Sequence, residues 1–172
     1  MPTYTQIGSA VVVGSGGQAS ISFTAIPATF TDLILKISAR TLSAGSDNFD
    51  GLEMKFNSST TGYTRRLLYA YNGSPGSTTS TDSRWSFGNS NTSTGSTFSN
   101  TEIYIPNYSA TQNKSVSTES ALENNSASVF SIFVGAGLST NTAAITSITI
   151  TPESATNFVQ HSTAYLYGVS NA

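Results

Sequence analysis

Hydrophobic and polar residues alternate with a period of two along most of this chain. In Leu33–Arg40, Leu33, Leu35, Ile37 and Ala39 share one parity, and Lys36, Ser38 and Arg40 the other. In Leu52–Phe56, Leu52, Met54 and Phe56 alternate with Glu53 and Lys55. A period of two predicts strands with one buried and one wet face. The link Thr41–Gly51, rich in Ser, Asn, Asp and Gly, reads as a loop. Two such strands are not stable alone, so the remaining chain must supply a second layer.

The same signal recurs on both sides. Tyr4–Ile7, Val11–Val13 and Ile21–Phe23 predict short strands, the third stopped by Pro27. In Tyr63–Tyr71 both parities carry apolar groups, which predicts a strand covered on both faces. Thr97–Pro106 sets Ile103 and Ile105 opposite Glu102 and Tyr104, and Lys114–Asn124 alternates through Val116, Thr118, Ser120 and Leu122. Phe130, Ile132, Val134, Ala136 and Leu138 share a face, with Gly135 and Gly137 placed to bend the strand or admit a close neighbour. Ile148 and Ile150 mark a strand ended by Pro152. In the last, Ala164 and Leu166 oppose His161, Thr163, Tyr165 and Tyr167. A single helical turn fits only Ala110–Asn113 or Pro152–Phe158. The expected fold is all-β: one antiparallel sandwich over residues 1–172, jelly-roll-like, with about 8–10 short strands in two sheets of about four.

Residues 72–96 break the pattern. They form a Ser/Thr/Gly-rich stretch interrupted by Arg84-Trp85-Ser86-Phe87. The expectation is a long loop, with Trp85 and Phe87 either in a short strand packed on the body or in an exposed loop that grips a partner.

Charge is sparse. Seven basic residues face nine acidic ones without clustering, so no basic footprint for nucleic acid is readable. Cysteine is absent, which excludes disulfides and thiolate metal sites. No charged and apolar signal region opens the chain, and no apolar run is long enough for a spanning helix. Sequons at Asn57 and Asn107 carry little weight in a chain so rich in Asn and Ser.

Candidate chemistry is thin. His161 is the single histidine; a Ser-His-Asp site would have to use it, beside Ser162 and without a nucleophile elbow. The competing reading is a strand histidine among Tyr165 and Tyr167, near a sheet face or subunit contact. Two carboxylates could serve glycan cleavage, but nothing in the sequence brings two into one cleft. Asp47-Asn48-Phe49-Asp50-Gly51 offers oxygen ligands to calcium, yet its spacing is not that of an EF-hand, and Asx-rich turns bond their own backbone. No catalytic, cofactor or metal residue is assigned. Eight tyrosines exceed what a small core holds and suit interfaces or sugar stacking. The candidate contact residues are Trp85, Phe87, His161, Tyr165 and Tyr167.

Phe98-Ser99-Asn100-Thr101-Glu102-Ile103-Tyr104-Ile105-Pro106-Asn107-Tyr108 resembles a run in small structural proteins of tailed phages, marine cyanophages especially. Asn113-Lys114-Ser115, Glu123-Asn124-Asn125, Ala144–Ile148, Asn157–Gln160 and Tyr165–Gly168 extend the resemblance over most of the chain outside residues 72–96. The resemblance implies a virion component and brings no catalytic residues. The expected function is a non-enzymatic capsid decoration or cement protein, assembled in the host cytoplasm. It would be trimeric and docked on the major capsid protein at the outer capsid surface, without nucleic-acid or membrane partners. The alternative is the head of a fibre or receptor-binding protein that recognises host surface glycans.

Overall fold

The computed structural model describes residues 1–45, 47–126 and 130–170. The described residues form thirteen strands and no helix: β1 (Thr3–Gln6), β2 (Val11–Val12), β3 (Ile21–Phe23), β4 (Asp32–Ser38), β5 (Phe49–Phe56), β6 (Tyr63–Tyr71), β7 (Ser74–Ser80), β8 (Arg84–Asn89), β9 (Asn100–Ile105), β10 (Lys114–Leu122), β11 (Ser131–Ser139), β12 (Ile148–Pro152) and β13 (Thr163–Ser170). The fold is the expected antiparallel β-sandwich, but its layers are unequal. The large sheet runs β1-β13-β4-β9-β10-β11-β6-β7, with β2 also on β13; the small sheet runs β3-β12-β5-β8.

The two alternating runs that define the sequence pattern, β4 and β5, lie in different sheets and face each other. Leu33, Leu35 and Ile37 on one side and Leu52, Met54 and Phe56 on the other are almost wholly buried in one cluster. Ile103, Ile105, Ala164, Leu166, Ile148 and Ile150 complete it. Each buried Leu or Ile side chain contributes about 1.5–3 kcal/mol, so this cluster dominates the stability of the sandwich.

Residues 72–96 are not one long loop. They hold β7 and β8. Asn72 and Gly73, with φ of 50° and 78°, form the two-residue turn that folds β7 back on β6. Both φ values are positive, the geometry of a type I′ hairpin turn and the reason Asn-Gly signals one. β7 escaped notice because Ser74–Ser80 contains no large apolar residue to show the alternation. Trp85 is fully buried between Phe56 and Tyr63, and its indole N–H donates to the Thr64 carbonyl at 3.0 Å. Gly137 makes room for it: a Cβ there would stand 2.5 Å from the indole ring. The predicted 41–51 link is shorter than expected, since β5 begins at Phe49 and pairs with β8; Ser46, within that link, lies outside the described residues.

Two buried cations fix the loops around the core. Arg40 donates to the carbonyls of Asn91, Ser93, Thr94 and Thr97 at 2.8–3.2 Å, tying down the link between β8 and β9. The Lys114 ammonium donates to the carbonyls of Ala110, Gln112 and Thr142. Burial lowers the pKa of both groups, and backbone dipoles stand in for counter-ions.

Coverage of the large sheet is incomplete. β8, the edge of the small sheet, packs across β9, β10 and β11. The C-terminal half of β6 and all of β7 therefore project past it.

Candidate functional site

Two concave surfaces follow from this inequality. The first is the outer face of the large sheet. One row of register partners crosses seven strands as Tyr165, Lys36, Glu102, Glu119, Val134, Leu68 and Ser77. The next row carries Tyr167, Ile34, Tyr104, Ser117, Ala136, Arg66 and Thr79. One end is polar and aromatic. Lys36 pairs with Glu102 at 2.8 Å, and that hydrogen bond and charge hold its ammonium above the ordinary range. Tyr104 donates to Asp32 at 2.9 Å; burial first, then this bond, pushes its phenol up. Glu102 and Glu119 stand directly opposite each other, an arrangement that is unfavourable between neighbouring strands unless a cation offsets it. Lys36 supplies one. A depression of about 420 Å³ opens here, lined by Lys36, Glu102, Glu119, Ile132 and Val134 among others.

The other end of this face is apolar. Leu68, Ile132 and Val134 are 66%, 51% and 52% exposed. Val134 is the register partner of Leu68, and Ile132 that of Ala70. On β11 the apolar parity points to solvent, while Ser131, Phe133, Gly135, Gly137 and Ser139 face inward. β6 likewise exposes Leu68 and Arg66, so it is not covered on both faces as its sequence suggests.

The second surface is a cleft of about 410 Å³ between the sheets, where β6 and β7 overhang. Leu67, Tyr69 and Tyr71 of β6 and Phe133 of β11 line one side; Asp47, Phe49, Arg84 and Phe87 line the other. Phe87 and Phe133 stack at 3.8 Å between ring centres, and Phe49 meets Tyr71, Phe87 and Phe133 edge-on. Arg65 closes the inner end. Its side chain is 6% exposed, and Nε lies 2.7 Å from Asp82 Oδ1. Asp82 also accepts from the Ser80 hydroxyl and the Arg84 amide and lies near the Arg84 guanidinium, which pairs with Glu153. Burial alone would raise the Asp82 pKa. The Ser80 and Arg84 hydrogen bonds and the charges of Arg65 and Arg84 outweigh it and hold the carboxyl below its ordinary range.

The predicted contact residues scatter. Trp85 and Phe87 are buried, Trp85 in the main core and Phe87 at the back of the cleft, so neither offers an exposed grip. Tyr165 and Tyr167 lie half-buried on the outer face, as their parity indicates. His161 is not on their strand. It occupies the turn before β13 with φ of 74°, exposed to solvent. Ser162 beside it is buried, and its hydroxyl accepts from the Arg40 amide and donates to the Arg40 carbonyl. That hydroxyl closes a backbone contact and is not presented as a nucleophile. Asp50 accepts from Thr41 and Ser154 at 2.9 and 2.6 Å, whereas Asp47 lines the cleft, so the 47–51 loop does not gather its oxygens. Among the described residues no three His, Asp or Glu side chains cluster as a metal site. Asn57 of the first sequon bonds the Ala144 carbonyl and the Thr146 amide, a structural role.

Sequence reasoning missed Arg65, Leu68, Glu119 and the Phe49–Tyr71 wall. Leu68 and Glu119 needed the strand register. The cleft needed the position of β8, and the Asn72-Gly73 turn was the one local signal towards it. No family model matches this chain, and no curated protein matches it either.

Proposed function

We propose that this chain is a structural adhesion protein of a virion: a capsid decoration or cement subunit, trimeric, docked on the major capsid protein at the outer surface. The observation that carries the reading is the apolar strip Leu68, Ile132 and Val134, held in the open on well-formed strands. Apolar side chains exposed side by side on a rigid sheet are a marker of protein contact. A face of this kind gains affinity by burying area, and many weak copies add through multivalency. The polar end, with Tyr165 and Tyr167, serves the contact between subunits. The resemblance of Phe98–Tyr108 to phage structural proteins supports the same reading. The test is the heat resistance of virions lacking the protein: they should release their genome at a lower temperature than complete particles, and equal resistance would end the cement role.

The connectivity supports a jelly-roll reading of the sandwich. The small sheet β3-β12-β5-β8 faces a run that begins with β4 and β9 and ends with β6 and β7. The chain crosses between layers along β2–β3–β4–β5–β6, β7–β8–β9 and β11–β12–β13, as in a double Greek key, while β6–β7 and β9–β10–β11 stay within the large sheet.

A second reading, the glycan-recognising head of a fibre, is favoured by the aromatic cleft. Apolar walls with a few convergent polar groups are the general form of a small-ligand site. The number of copies per particle separates the two: hundreds for a decoration protein, a few trimers for a fibre.

A further inference from the structure

We infer that the cleft between the sheets binds one ring of a neutral saccharide, packed against its aromatic wall and hydrogen-bonded to the Nη end of Arg65. This inference rests on the glycan reading and names its site and ligand class. Three observations converge. The walls are aromatic on both sides, with Phe49, Tyr69 and Tyr71 half-buried at the mouth and not sealed into the core. The C–H faces of a pyranose ring pack on such side chains while its hydroxyls stay polar, and the tyrosine hydroxyls add a polar edge to the same wall.

Arg65 is the second observation. Its side chain is more than nine-tenths buried and lines the cleft, and its Nη nitrogens donate no hydrogen bond to any described residue. Arg40, buried to a similar degree, spends its Nη nitrogens on four carbonyls. The buried nitrogen that lacks an aligned acceptor is Nε, which has only its ion pair with Asp82; the Nη nitrogens are not sealed in and stay open to an acceptor that enters the cleft. The guanidinium presents its donors as a planar fork, which two adjacent ring hydroxyls can accept. Asp82 fixes the fork from behind through Nε, so little ordering is left to do on binding.

Charge selects the class of sugar. Arg65 is matched by Asp82, and Arg84 by Asp82 and Glu153. A carboxylate-bearing sugar therefore finds no unmatched positive charge to repay its desolvation, whereas a neutral hexose needs none. The ligand is therefore a neutral hexose unit with adjacent free hydroxyls, such as the end of a galactose-, glucose- or mannose-based glycan.

The experiment screens the purified full chain on a glycan array, then titrates it calorimetrically with neutral hexose oligosaccharides and with uronic- or sialic-acid counterparts of the same length. The wild type is expected to bind a neutral set at least tenfold more tightly than the acidic one. Arg65→Lys keeps the charge beside Asp82 but loses the fork, and Tyr71→Ala removes part of the wall at the mouth. Each should weaken binding about tenfold or more. Tyr71 lies at the end of β6 and is only half-buried, so this variant keeps the test open even if Arg65→Lys fails to fold. Neutral glycans bound equally well by both variants would leave the glycan reading standing and overturn the cleft as its site. Preference for acidic glycans would overturn the ligand class. Binding to no glycan would end the proposal and the glycan reading together.

Discussion

The covered and the overhanging halves of the large sheet obey the same alternation and come to opposite ends. Under the small sheet, the inward parity of β4, β9 and β13 is Leu33, Leu35, Ile103, Ile105, Ala164 and Leu166, each wholly buried. On β6, beyond the small sheet, the inward parity is Arg65, Leu67, Tyr69 and Tyr71, and exposure grows along the strand. The outer parity reverses too. Over β13, β4 and β9 it carries Lys36, Glu102 and tyrosines; over β11 and the overhanging β6 it carries Val134, Ile132 and Leu68. Period two therefore sets which residues share a face, and the neighbouring layer decides whether that face becomes core, cleft or contact surface.

Truncations in the two regions should differ most in their cost. Trp85→Ala, in the covered region, should cost about 3–5 kcal/mol by urea unfolding. Tyr71→Ala, on the inward parity of the overhang, should cost less than about 1 kcal/mol. Equal losses would mean that the overhang is core after all. Gly137→Ala is expected to cost about 1–3 kcal/mol, because the new methyl meets the Trp85 ring and not open space.

The two buried arginines give the next contrast. Arg40→Met strips four carbonyls of their donor and should cost about 2–3 kcal/mol, read as a fall in melting temperature with early hydrogen exchange in the 90–99 link. Arg65 is instead anchored by one carboxylate. Because the folded-state pKa of Asp82 lies below its unfolded value, its stabilisation is complete above the ordinary carboxylate range, about pH 4. It is lost as pH falls through the lower folded value. Melting temperature followed from pH 6 to pH 2 should drop less steeply in Asp82→Asn than in the wild type; identical slopes would remove Asp82 from the overhang's support. The smallest expected effect on stability, within about 0.5 kcal/mol, belongs to Leu68→Thr and Val134→Lys on the exposed strip, where the new lysine faces Glu119.

Most of the layer structure was legible in the chain, since β4, β5, β9, β10, β12 and β13 announce themselves by alternation. The overhang was not. β7 carries only Ser, Thr, Pro and Gly, so its pairing with β6 rests on Asn72-Gly73 and on no hydrophobic signal. Trp85 and Phe87 read as a possible grip because large aromatic residues in a Ser/Thr/Gly-rich stretch look exposed; β8 buries both. His161 shares a parity with Tyr165 and Tyr167, but parity means nothing beyond the strand, and its left-handed φ places it in a turn. The outer apolar strip is the most instructive case. Ile132, Val134, Ala136 and Leu138 have the pattern of a core face, and only the sheet order turns them to solvent.

The decisive measurement is subunit counting by quantitative mass spectrometry on purified virions, comparing the wild type with Leu68→Thr/Val134→Lys, in which the new lysine stands opposite Glu119. Hundreds of copies per particle are expected for the wild type, and the doubly substituted protein, which folds and melts like the wild type, is expected to be lost from the particle. A handful of wild-type copies, or full occupancy by the substituted protein, would contradict the cement role.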